Sequence, residues 1–145
     1  MGISDRNAEW RRQLREAVKA KKRTEIDRVK MPELAPEERI KSQRLEVNTG
    51  LTPEMAQREA SRCMDCVNPT CMEGCPVGID IPGFIKNIER GEFIGAAVVL
   101  KQTSALPAVC GRVCPQEKQC VDESIPLAFS PGIFIKRGSP APEPI

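Results

Sequence analysis

Four cysteines at positions 63, 66, 71 and 75, followed at once by Pro76, constrain this chain more than any other feature. Their spacing is C-x2-C-x4-C-x3-C-P, so four thiols fall within thirteen residues. Side chains recur with period 3.6 on a helix and 2 on a strand, and neither period puts all four on one buried face. They are not core filler. A bound metal or metal cluster is the economical explanation, because thiolates are the ligands of structural zinc and of iron–sulfur clusters. The spacing leans towards iron–sulfur: in two-cluster ferredoxins a similar run gives three cysteines to one cluster and the fourth, before proline, to the other.

A second block supplies Cys110, Cys114 and Cys120, and Cys114-Pro115 repeats the Cys-Pro step. The short loops let Cys63, Cys66 and Cys71 converge on one [4Fe–4S] cluster, while Cys75 turns away to join Cys114 and Cys120 at a second. Cys110 is then either a further ligand or a small buried apolar residue. Two clusters of the four-cysteine kind ask for eight ligands, whereas the chain has seven cysteines and no histidine. The competing metal is zinc, since a C-x2-C-x4-H-x4-C knuckle has loops close to those of the first block. Against zinc stand the final x3 spacing, the missing histidine and the two Cys-Pro steps. Reduced cysteines with no metal are the third reading.

Composition narrows the class. Thirteen prolines, four phenylalanines, one tryptophan and no tyrosine in 145 residues leave little for a large aromatic core. A small domain folded partly around metal fits, because ligand binding contributes folding free energy. The net charge of +2 is unevenly spread, since residues 1–30 carry ten Lys/Arg against five Asp/Glu. That basic stretch suits nucleic acid or an acidic protein surface, and the absence of interleaved aromatics disfavours nucleic acid. No apolar run approaches the ~20 residues that span a bilayer, and no signal peptide opens the chain. The expectation is a cytoplasmic protein with reduced thiols and no membrane partner.

The chain reads as mainly α. A helix is expected over 5–23, with Trp10, Leu14, Ala17 and Val18 as its apolar stripe, either packed on this domain or serving as an arm for another. A connector spans Ile26 to Glu33. A short helix is expected from Pro36 through Ile40 to Leu45, then a turn at Asn48–Gly50. Thr52 is a candidate N-cap for a helix running into Cys63. Asp80 is a candidate cap for a helix stopped by Gly91. The next helix, 92 to about 103, is expected to bury Phe93, Ala96, Ala97 and Leu100, and the pair forms an αα-hairpin suited to covering a cluster. Three regions result: a basic helix and connector at 1–30, a di-cluster helical domain at 31–124, and an irregular, proline-rich tail at 125–145.

With both blocks in view, about ninety residues resemble the N-terminal iron–sulfur domain of the glutamate synthase small (beta) subunit. The same domain occurs in dihydropyrimidine dehydrogenase and NADH-dependent ferredoxin:NADP oxidoreductase. The matching segments are Met31-Pro-Glu-Leu, Pro36-Glu-Glu-Arg-Ile, Glu59-Ala-Ser-Arg-Cys-Met-Asp-Cys, Cys75-Pro-Val-Gly-Ile-Asp-Ile-Pro and Leu106-Pro-Ala-Val-Cys-Gly-Arg-Val-Cys-Pro-Gln-Glu. The resemblance implies a small helical domain wrapped around two [4Fe–4S] clusters. Cys63, Cys66 and Cys71 would serve the first, Cys75, Cys114 and Cys120 the second, and Cys110 neither. It also implies electron relay between a flavin and a partner, with FAD and NAD(P)H on a separate domain or subunit, and a glutamate synthase large subunit or ferredoxin as acceptor.

Two departures stand out. Where the family places the cysteine completing the first cluster, this chain has Ser124. No G-x-G-x-x-G dinucleotide fingerprint occurs, although the family continues into an FAD-binding unit. The expectation is therefore an electron-transfer module cut short, its end degenerate or out of frame, with no catalytic residue of its own because the chemistry belongs to the flavin. The alternatives are a zinc-stabilised binding module and a non-functional remnant.

Overall fold

The computed structural model describes residues 5–115 and 118–120. Among the described residues eight helices follow one another: α1 Glu9–Ala17, α2 Ala20–Thr24, α3 Pro36–Arg39, α4 Pro53–Ala60, α5 Thr70–Glu73, α6 Ile81–Glu89, α7 Phe93–Lys101 and α8 Pro107–Val113. Among the described residues no strand forms, and the one β-bridge is antiparallel, Glu33 to Asn48. The mainly helical class read from the sequence is what the structure has. The tail expected at 125–145 and Ser124 lie outside the described residues.

Helix α6 is the centre. Eight of its nine residues are buried, and it packs on α4 and α7. Ile81, Phe84, Ile85 and Ile88 meet Ala56 and Ala60 of α4 and Ala96, Val99 and Leu100 of α7. The small alanines let the helices approach, and the branched side chains of α6 fill the gap. Local chemistry sets the ends: Thr52 Oγ1 accepts from Met55 N at 3.3 Å, and Asp80 Oδ1 from Gly83 N at 2.9 Å. Both are the expected N-caps. Gly91, at φ +84°, takes the left-handed turn that ends α6 and starts the hairpin.

Three expectations need correction. The single helix over 5–23 breaks at Val18–Lys19 into α1 and α2. Its buried side is not the apolar stripe: Arg11 and Arg23 are 2% and 1% exposed, while Ala17 is exposed. The helix expected from Pro36 to Leu45 stops at Arg39, leaving Ile40 in solvent. Along α7 the buried face is Gly95, Ala96, Val99 and Leu100, whereas Phe93 and Ala97 face out.

Candidate metal centre

Cys63 leaves the end of α4 directly, its N–H bonding Ala60 O at 3.1 Å. Two residues on, Asp65 sits at φ +56°, the one non-glycine left-handed residue among those described. Aspartate tolerates that conformation better than most residues, and it falls between Cys63 and Cys66. Cys71 lies on the single turn of α5. Cys75 follows with its N–H on Met72 O at 3.1 Å and its carbonyl accepting from Gly78 N at 2.9 Å. Cys63, Cys71, Cys75 and Cys120 all pack against the apolar core around α6.

All seven cysteines are free thiols and half-buried. Burial pushes the Cys63 thiol up, and Lys86 pulls against it. Cys71 is pushed up to about 12, first by burial and then by Cys63, Cys120 and Cys66. Those four sulfurs therefore share one electrostatic neighbourhood. Cys63 and Cys71, raised in this way, hold their protons until a metal accepts the thiolates and displaces them. Half-buried, all-sulfur donors beside an apolar core fit an iron–sulfur cluster. Among the described residues no three Cys, His, Asp or Glu side chains stand close enough to hold a single metal ion.

The second block is arranged differently. Cys110 lies on α8 with its sulfur 3.8 Å from Ser104 Oγ, and the Cys114 thiol donates to Gln119 Oε1 at 3.1 Å. Cys120, expected with Cys75 and Cys114, is within electrostatic reach of Cys71.

Sequence reasoning missed what holds the first loop from behind. Arg11 grips the Asp65 carboxylate with Nε and Nη2, at 3.0 Å to Oδ2 and 2.6 Å to Oδ1, and Arg15 Nη1 adds a bond of 2.6 Å to Oδ2. Burial would push Asp65 up, but the two guanidiniums outweigh it and hold the carboxyl below its ordinary value. Lys86, fully buried on α6, donates to Cys63 O at 2.6 Å. In sequence these cations look like any solvated helix face. The sole hint was the excess of positive charge in residues 1–30.

Residues 39–129 match the family described as dihydropyrimidine dehydrogenase domain II, 4Fe–4S cluster. The chain belongs to that family. All seven cysteines fall within the matched segment of this 4Fe–4S domain, and α1, α2 and α3's first residues precede it. The domain is 45% identical over 75 residues to the NAD-dependent dihydropyrimidine dehydrogenase subunit PreT homolog of Salmonella typhi, covering 52% of this chain and 18% of the relative. To the glutamate synthase [NADPH] small chain of Halomonas elongata it is 38% identical over 89 residues, 61% of this chain and 19% of that one. To the putative oxidoreductase UacF of Escherichia coli it is 42% identical over 76 residues, 52% and 12%. The chain thus spans less than a fifth of the length of these relatives. The expected resemblance and its [4Fe–4S] cofactor stand, and the zinc reading is not favoured. No helix among the described residues is long and apolar enough to cross a membrane.

Proposed function

We propose that this 4Fe–4S domain is an electron relay between the flavin of an NAD(P)H-dependent oxidoreductase domain or subunit and an acceptor. The acceptor is a glutamate synthase large subunit, a ferredoxin or a similar protein. Cys63, Cys66 and Cys71 hold a first cluster, and Cys75, Cys114 and Cys120 hold three corners of a second, with Cys110 outside both. When bound, such clusters supply one-electron acceptors and donors. The chain's own contribution is to fix the thiolates, shield them with the α6–α7 hairpin and set the charge around them. The packing of Cys63, Cys71, Cys75 and Cys120 against one apolar core, with Cys66 in electrostatic reach of Cys71, carries the iron–sulfur reading. The names of the relatives, which include an NAD-dependent and an NADPH-linked subunit, support the choice of donor.

Anaerobic purification of the full chain tests it. The expected product is brown, contains iron and acid-labile sulfide in matching amounts, and loses its broad visible absorbance on reduction with dithionite. A colourless protein with stoichiometric zinc would overturn the proposal.

A further inference from the structure

The basic N-terminal arm precedes the matched family segment, and the relay proposed above gives it no task. Its arginines nevertheless converge on the loop that carries Cys63 and Cys66. Arg6 Nη2 donates to Asp65 O at 3.1 Å. Arg11 and Arg15 share the Asp65 carboxylate, and Arg15 also binds Arg6 O at 3.0 Å, tying the arm to itself. Arg23 Nη1 donates to Ser61 O at 2.5 Å, and from the scaffold side Lys86 Nζ reaches Cys63 O at 2.6 Å. Three alternate carbonyls of the loop, at 61, 63 and 65, therefore each accept from a cationic side chain. The carboxylates of Asp65 and Glu89 lie within this network of five cations, the latter bridged by Arg23 at 2.8 Å and Lys86 at 2.5 Å. Glu59 pairs with Arg62 and accepts from Val29 N at 2.8 Å.

We propose that α1 and α2 form a built-in clamp on the first ligand loop. Arg11 and Arg15, acting through Asp65, are positioning residues that hold Cys63 and Cys66 in their ligating turn. The surplus positive charge of the clamp favours the reduced state of the cluster these cysteines bind. The inference rests on the reading of Cys63 and Cys66 as ligands. A non-glycine residue at φ +56° keeps that conformation only where its surroundings over-determine it, and a paired, buried guanidinium–carboxylate contact does so with fixed geometry. Reduction makes an anionic cluster more negative by one charge, and nearby cations in a low-dielectric setting stabilise that added charge.

The test uses the full chain, reconstituted anaerobically and titrated through its reduction with dithionite and redox dyes. Arg15→Met is the variant of choice, since Arg15 is at the rim of the network and Asp65 keeps Arg11. It should lower the equilibrium constant for reduction of the first cluster by up to about tenfold, a downward shift of up to about 59 mV for one electron. Arg15→Lys should restore the wild-type value, and Lys22→Met, an exposed cation on the same arm, should leave it unmoved. If Arg15→Met loses iron instead, recovery of that iron in Arg15→Lys supports the clamp equally. An unchanged potential with full iron overturns it, as does a loss that Arg15→Lys fails to repair or a matching shift in Lys22→Met. The ligand reading fails separately, if Cys66→Ala retains all the iron of the wild type.

Discussion

The two cysteine blocks are built in opposite ways. The first runs from α4 to α6 over a buried ionic floor: Asp65 is 1% exposed, Lys86 not at all, and each cation there has a carbonyl or carboxylate to grip. The second runs along α8, none of whose residues is buried. Leu106, Val109 and Val113 stand in solvent. Ties of α8 to the rest include an ion pair between Arg112 and Glu46 that is open to water on both sides and the contact of Cys110 with Ser104. One ligand set is thus placed by the chain itself. The other is carried on an exposed helix, with Cys120 packed against the core.

That contrast can be broken most sharply at Asp65. Asp65→Ala takes from the buried Arg11 the carboxylate it grips with two nitrogens, and removing one member of a buried pair costs about 3–5 kcal/mol. Urea denaturation should register the full loss. Ile85→Ala removes side chain from the most enclosed position of α6, fully buried between α4 and α7, at about 3 kcal/mol. Because α6 underlies the hairpin and the first loop together, this variant should weaken the whole domain in one cooperative transition. Thr52→Ala, which deletes the cap of the helix leading into Cys63, should cost about 1 kcal/mol by the same measurement. Arg112→Ala, in the second block, should leave the denaturation midpoint unmoved, since exposed ion pairs contribute little. A midpoint shift there as large as that of Thr52→Ala would erase the distinction between the blocks.

Much of the scaffold was legible in the sequence. Thr52 and Asp80 announced α4 and α6 because a hydroxyl or carboxylate before a helical run has one obvious job, and Gly91 marked the hairpin for a similar reason. The cysteines were legible because no apolar core needs four thiols so close together. What stayed hidden was orientation. Helix α7, from Phe93 to Lys101, is apolar nearly all round, so periodicity could not choose its buried face, which Gly95, Ala96, Val99 and Leu100 took against α6. Helix α1 has a clear apolar stripe, yet the arm is seated by Arg11 and Arg23, whose partners Asp65 and Glu89 are distant in sequence. Pairing over such separations leaves no local pattern. Cys71's single helical turn and Cys110's place on α8 were likewise too short or too proline-bounded to read.

Restoring a ligand offers a further check on the first cluster. Ser124→Cys should raise iron content per chain if that cluster lacks its fourth thiolate, and no rise would count against the assignment of Cys63, Cys66 and Cys71.

The division of the first block between two clusters is the centre of the account, and iron and sulfide analysis of Cys66→Ala and Cys75→Ala beside the wild type tests it most directly. Each variant should lose about one cluster's worth of iron and keep the other, with distinct residual spectra, while Cys110→Ala keeps both. Loss of all iron in both cysteine variants, or an identical residual spectrum in each, would contradict it.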